Sequence, residues 1–303
     1  MEILGLTSLT ENQIRQIREL EQYCMAFDRS GRELFLCSDI NYHKDMPCFY
    51  LNYMGDELRG VLVVFAPTLE TAEVSVYVHP SHRRSGIFSG MLLEAWRIMH
   101  EYRITKVLIV TDAVSTVCKE ILHKWKAELS HSEYLLVYQG GRKPARFPLA
   151  DQCLVREAME TDLEKMVEMN MASFGEDRDN AAHMVRENFK HPLTQCFVGQ
   201  MGGEIFGLAN VRKEGSDYYI CGFNVAPACQ GKGFGRYLLY QILDRLTPTE
   251  DESITLEVDS TNQPAYRLYL TSGFAVQSQA DYYWLELPVI SPDTITPEIS
   301  QGE

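Results

Sequence analysis

The chain has 303 residues, 45% hydrophobic and 23% charged, which is enough for two ordinary domains that each bury a core. A formal net charge of −14 argues against nucleic acid or an anionic membrane as a partner. No apolar run approaches the roughly 18 residues of a membrane span, and the start MEILGLTSLTENQ lacks the basic and apolar regions of a secretory leader, so a cytoplasmic location is expected.

In chain order, Thr10 and Gln13 form a capping-box pair ahead of Ile14, Ile17, Leu20 and Tyr23, whose spacing predicts a helix. Strands are predicted at 48–53, 58–66 and 72–78, with Gly55 and Asp56 turning the first hairpin. Val78-His79-Pro80 and the string Arg83-Arg84-Ser85-Gly86-Ile87-Phe88 lead into a helical run to about 102, then a strand at 106–110. The second half opens with a strand at 153–156 and a helix capped by Thr161-x-x-Glu164. A helix at about 179–190 and strands at 194–199, 205–211 and 218–225 follow. After a glycine-dense turn, Leu238, Leu239, Ile242, Leu243 and Leu246 recur at helical spacing until Pro248. A strand at 253–258, a helix at 264–270 and a last strand at 282–287 complete the series. The eight cysteines are scattered without C-x-x-C or metal spacing, so no metal is expected.

The order of elements repeats. Val78 and Val225, Pro80 and Pro227, Arg83 and Gln230, and Gly86 and Gly233 are each 147 residues apart, which indicates a duplicated domain. Residues 1–143 are expected to form one domain, 144–150 a linker, 151–288 the second domain, and 289–303 an acidic, proline-bearing flexible tail.

Chemistry is concentrated in Val225-Ala226-Pro227-Ala228-Cys229-Gln230-Gly231-Lys232-Gly233-Phe234-Gly235-Arg236. A strand, a glycine loop and a helix N-terminus together form an anion site, because exposed N–H groups and the helix dipole converge there. The spacing is not G-x-x-x-x-G-K-[ST], and a dinucleotide fingerprint would need glycine where Arg236 stands. Gln230-x-x-Gly233-x-Gly235 after V-x-P instead resembles the acyl-CoA pyrophosphate loop of the GNAT superfamily of N-acetyltransferases. Asn262-x-x-Ala265-x-x-Leu268-Tyr269-x-x-x-Gly273-Phe274 is similar to that family's second signature and follows in the expected order. Within the family, the duplicated layout is similar to mycothiol synthase.

The resemblance implies an α/β (α+β) fold of two GNAT-type domains, each a mixed, mostly antiparallel central sheet flanked by helices. It implies acetyl-CoA as co-substrate and an amine of unknown identity as acceptor, in a monomer or homodimer. Carried over residue by residue, Phe223, Asn224 and Val225 would hold the pantetheine, one of their N–H groups polarising the thioester carbonyl. Gln230, Gly231, Lys232, Gly233, Phe234, Gly235 and Arg236 would grip the pyrophosphate, and Asn262 would reach the cofactor. Tyr269 would protonate the departing thiolate. Asn262 also suits a plain helix cap, Tyr269 a packing role, and Lys232 and Arg236 solvated charges.

No general base is assigned. The strand before the loop has no carboxylate after Asp217; Glu257 and Asp259 on the next strand are alternatives, and Asp259 also suits a loop position. The first half is a degenerate copy: Phe88 replaces a glycine, Ser115 to Lys126 lacks the asparagine and the L-Y pair, and Trp125-Lys126 stands where G-F is expected. Its role is structural, cofactor-binding without turnover, or catalytic. Two functions remain in view: an N-acetyltransferase with its chemistry in the second half, or a non-catalytic protein that binds or senses CoA.

Overall fold

The computed structural model describes residues 2–141, 147–215, 217–246, 248–249 and 252–286. The chain forms two compact units, Met1–Ser132 with Ser278–Glu303, and Glu133–Gln277.

The first unit contains β1 (Glu2–Leu6), α1 (Glu11–Asp28), β2 (Phe49–Met54), β3 (Glu57–Phe65), β4 (Thr71–Val78), α2 (Ile87–Glu101), β5 (Lys106–Asp112), α3 (Thr116–Lys124) and the start of β6 (Glu128–Tyr138). The expected capping box holds α1: Gln13 N–H donates to Thr10 Oγ1 at 3.3 Å, and Thr10 N–H donates back to Gln13 Oε1 at 2.9 Å. Strands β1 to β4 run antiparallel in sequence order, and β4 pairs in parallel with β5. Both faces are apolar because helices cover them; Ile17, Leu20 and Cys24 of α1 and Met91, Leu92, Ala95 and Met99 of α2 share one core with Val61, Leu62 and Ile109.

The second unit contains the rest of β6, β7 (Cys153–Glu157), α4 (Leu163–Phe174), α5 (Arg178–Lys190), β8 (Thr194–Met201), β9 (Glu204–Glu214), β10 (Asp217–Val225), α6 (Phe234–Leu243), β11 (Ile254–Asp259), α7 (Gln263–Thr271) and most of the residues that open β12 (Phe274–Leu285). Its strands β7 to β10 are antiparallel, and β10 pairs in parallel with β11. Helices α6 and α7 pack on one face with Phe206, Leu238, Ile242 and Leu256, while α4 and α5 pack on the other with Val198 and Leu208. Each unit is thus the mixed, mostly antiparallel sheet expected.

The units do not follow the expected split at 143 and 151. The last strand of each sheet comes from the other half of the sequence: Ala280–Leu285 of β12 pair with β5, and Glu133–Val137 of β6 pair with β11. Strand β6 escapes prediction because Ser130, His131, Ser132 and Glu133 dilute its apolar alternation, and β12 starts well before 282 because Gln277, Ser278 and Gln279 are polar. The α4 cap differs in detail too. Asp162, not Thr161, stands at the N-cap, and its side chain turns back from the helix to accept the N–H of Met159 at 2.7 Å and to pair with Arg156 at 2.6 Å. Of the expected linker, 144–146 lie outside the described residues, whereas Phe147 packs on Phe234 and Tyr237 with ring centroids 5.1 and 5.2 Å away. The expected tail, 289–303, also lies outside them. No helix among the described residues is long and apolar enough to cross a membrane.

Strand β12 is anchored in the first unit by Asp281, which is buried, receives Ser132 Oγ at 2.7 Å and pairs with Lys119 at 2.7 Å. Burial alone would raise this carboxyl; Lys119, Ser132 and Gln279 outweigh it and hold it below its ordinary 3.8. A depressed folded value stabilises above the unfolded value and is lost as pH falls through the folded one. Asp281→Asn is expected to cost on the order of 2 kcal/mol near neutral pH and to flatten the acid limb of the stability curve; denaturant unfolding at several pH values checks both.

Candidate functional site

The site of the second unit starts from a parallel pair that soon parts. Strands β10 and β11 pair only from Tyr218–Ile254 to Ile220–Leu256, and β10 then runs on to Val225 paired with β9 alone. The register of β10 against β9 breaks between Cys221 and Asn224, a bulge at which Gly222 takes φ +59°. A side chain at 222 would press its Cβ to 2.8 Å from Asn210 Nδ2, so glycine is required on both counts.

Beyond Pro227 the loop turns on two left-handed glycines, Gly231 at φ +68° and Gly233 at +90°. Gly233 stands at the N-cap of α6. Among the described residues, no main-chain N–H from Gly231 to Arg236 donates to a protein acceptor. These free donors at the head of an apolar helix fit a pyrophosphate, which supplies the acceptors they lack. Gly235 lets α6 close on the sheet, since a Cβ there would lie 3.3 Å from Val225 and 3.5 Å from Leu268. The side chains of the loop serve its shape. Gln230 Nε2 donates to Val225 O at 2.9 Å, Lys232 Nζ to Ala228 O at 2.8 Å, and Arg236 to Thr271 Oγ1 at 2.9 Å. Lys232 and Arg236 are nevertheless exposed, so their charge adds to the field at the loop.

Tyr269 lies on α7, 4% exposed, with Phe223 and Phe274 edge-on at 6.0 and 5.9 Å. The second signature thereby meets the bulged strand. Burial pushes its phenol well above the ordinary value of 10, so it stays protonated at neutral pH. Asn262 is an exposed N-cap that accepts the Ala265 N–H at 3.2 Å. Buried Asn224 donates its amide N–H to Asn170 Oδ1 of α4 at 2.9 Å, while its own Oδ1 has no donor among the described residues.

Sequence reasoning could not choose a base, but the fold separates the two candidates. Asp259 caps the following turn, accepting from Thr261 N–H and Oγ1 at 2.7 Å each. Glu257 is the first residue of β11 past the last ladder pair, at the mouth of the split, and accepts from Tyr219 Oη at 2.9 Å. Burial, and next Glu257, raise the Tyr219 phenol well above its ordinary value, so it remains the donor of this pair.

The first unit repeats this backbone with other side chains. Arg84 at φ +60° and Gly86 at +78° match Gly231 and Gly233, and Lys126 at +58° matches Gly273 at +98°. The pair at the G-F position is therefore Lys126-Ala127, one residue later than Trp125-Lys126. Arg83 Nε donates to Val78 O at 3.1 Å, the same brace that Gln230 makes to Val225, and its other nitrogens pair with Asp28 at 2.7 and 2.6 Å. Strands β4 and β5 part after Ser75–Val110, and a cavity of about 400 Å³ opens between Tyr77, Val78, Arg83, Phe88, Thr111 and Cys118. At the offset of 147, Leu122 stands for Tyr269 and Val110 for Glu257. The slot is kept while both titratable groups are gone.

Residues 163–274 match the sequence model of the Acetyltransferase (GNAT) family. That stretch matches a family of acetyltransferases. Comparison with curated proteins finds no match. Solved structures share the fold across nearly the whole chain. A GCN5-related N-acetyltransferase from Sphaerobacter thermophilus aligns with a TM-score of 0.71 at 17% identity, covering 94% of this chain and 95% of that one. A tandem GNAT protein from the clavulanic acid biosynthesis pathway aligns with a TM-score of 0.65 at 15% identity, covering 94% and 98%. A GNAT-family acetyltransferase from Colwellia psychrerythraea gives 0.57 at 13% identity, covering 94% and 100%. The fold is that of two GNAT-type domains in tandem.

The left-handed positions carry opposite costs in the two loops. Arg84→Gly is expected to stabilise by about 1 kcal/mol by relieving φ +60°. Gly233→Ala should destabilise by more than that amount, because its Cβ would also meet the Phe147 ring at 3.1 Å. Thermal unfolding of both variants against the parent checks the pair.

Proposed function

We propose that the protein is an N-acetyltransferase that moves an acetyl group from acetyl-CoA to a primary amine within the second unit, by direct attack in a ternary complex. The reading rests on one observation: β10 and β11 part beside the free N–H groups of residues 231–236, with Glu257 at the split and Tyr269 on the helix behind it.

Acetyl-CoA supplies an activated thioester carbonyl. Gly231 to Arg236 hold its pyrophosphate through main-chain N–H groups, and the free edge of Phe223 to Val225 takes the amide-bearing arm as an added strand. A backbone N–H at the bulge polarises the carbonyl, a donor effect worth about 3 kcal/mol. Glu257 receives the proton of the attacking ammonium, and the nitrogen lone pair forms the new C–N bond as the C–S bond breaks. Tyr269 gives its proton to the sulfur and regains one from the second N–H that the nitrogen sheds, so a thiol and a neutral amide leave. A phenol kept protonated by burial yields its proton only to a base created beside it.

The first unit, with Leu122 and Val110 at the acid and base positions, binds the same co-substrate in its cavity without turnover. Titration calorimetry with CoA is expected to find two sites per chain, and Arg83→Ala to remove only one.

Thiol release from acetyl-CoA with a panel of amines tests the central reading. Tyr269→Phe and Glu257→Gln are each expected to lower kcat by about 10²-fold or more with little change in CoA affinity. Tight CoA binding without turnover on any amine would assign the protein to the binding or sensing class instead.

A further inference from the structure

Beside the bulge of the second unit lies a polar group of side chains in which two buried amide oxygens have no donor among the described residues. Asn210 of β9 is paired with Cys221 of β10, and Glu257 of β11 follows the Ile220–Leu256 pair. Asn210, Cys221 and Glu257 therefore lie in one row across three strands, with Asn210 and Cys221 on paired strands about 4.8 Å apart and Glu257 just past the last β10–β11 pair. They share the sheet face of α4 and α5, because Asn210 is also paired with Cys196, which belongs to the core under those helices. Asn224, past the bulge, points to the same face and reaches Asn170 of α4.

Asn210 and Asn224 are 5% and 6% exposed, yet the Oδ1 of each lacks a donor among the described residues. Both amides converge on Gly222. Asn224 Nδ2 lies 3.4 Å from Gly222 O, and Asn210 Nδ2 lies 2.8 Å from where a Cβ at 222 would stand. A buried acceptor without a donor opposes folding, and a pair of them at the point where the strands part marks a place for a donor-bearing guest.

We infer that Asn210 and Asn224 seat the acceptor nitrogen and make the site selective for primary over secondary amines; the inference rests on the amine-transfer reading above. A primary ammonium has three N–H groups for three acceptors: the two amide oxygens and the Glu257 carboxylate. The first two orient the nitrogen, and the third takes the proton that is lost on attack. A methyl group on nitrogen removes one donor and leaves one buried oxygen unpaired. A site with such unmet groups rejects the analogue far more strongly than an apolar pocket rejects an extra methyl.

The test compares benzylamine, phenethylamine and glycinamide with their N-methyl counterparts, read as kcat/KM ratios in the full chain. The parent is expected to favour the primary amine by at least about ten-fold. Asn210→Leu should bring that ratio towards one, raise the acceptor KM and leave the acetyl-CoA KM unchanged. Its thermal midpoint should not fall, because Asn210 gives up no hydrogen bond. Asn210→Asp, which keeps an oxygen acceptor, should retain the preference; if the leucine variant does not fold, Asn210→Ser is read in its place. A parent without preference, or an unchanged ratio in the folded leucine or serine variant, overturns the inference and leaves the transferase reading intact. A parent that binds CoA by calorimetry but acetylates no amine overturns both.

Discussion

Each unit depends on a parallel pair of strands that holds for a few residues and then parts. A parallel ladder satisfies backbone groups only while it lasts. In the second unit it lasts from Tyr218 to Ile220 along β10, after which the strand runs on to Val225 with its edge towards the split. Everything functional stands around that edge. The bulge at Gly222 re-aims it, α6 brings a row of free N–H groups to one end, and α7 brings Tyr269 to the back. An anion at this loop would be met mainly by main chain. That explains why Gln230, Lys232 and Arg236 spend their side chains on the loop's own carbonyls and on Thr271.

The duplication separates the scaffold from the chemistry. Left-handed residues recur at 84 and 231, at 86 and 233, and at 126 and 273, and helix caps recur at Ser115 and Asn262. In the first unit two of those left-handed positions are filled by arginine and lysine, each at a cost of about 1 kcal/mol, so the surrounding packing over-determines the loop. The acid and base positions are apolar there: Leu122 is fully buried and Val110 nearly so. The slot keeps its backbone, its brace from residue 83 to Val78 and its cavity, while apolar side chains stand at both positions matching Glu257 and Tyr269.

Much of this was legible in the chain alone, for physical reasons that can be named. Glycines that need positive φ, a proline ending a strand and an asparagine opening a helix are local requirements, so the loop and the α7 signature could be read directly. The choice between Glu257 and Asp259 could not, because they alternate along one strand and only the parting of β10 and β11 separates their surroundings. Asn210 gave no signal either: nothing within its own strand marks an asparagine whose partner is a bulge on the neighbour. The strand exchange was hidden for a related reason. Strand pairing over more than a hundred residues leaves no periodicity, and the polar lead of β6, Ser130 to Glu133, masks even the strand.

That exchange bears on how the two halves of the sequence depend on each other. The last strand of the second unit, Glu133–Val137, arrives from the first half of the sequence and pairs along β11 opposite Thr255 to Asp259. Glu257 itself is held opposite Leu135. Without β6, β11 would be an exposed sheet edge at the site, free to fray or to pair with another chain. Conversely, Ala280–Leu285 close the sheet of the first unit against β5, fixed by Asp281 and Lys119. Neither half of the sequence contains a complete sheet. The first half of the sequence therefore supplies the strand that borders Glu257 in the second unit, and the sheet of the first unit needs 280–285 in return.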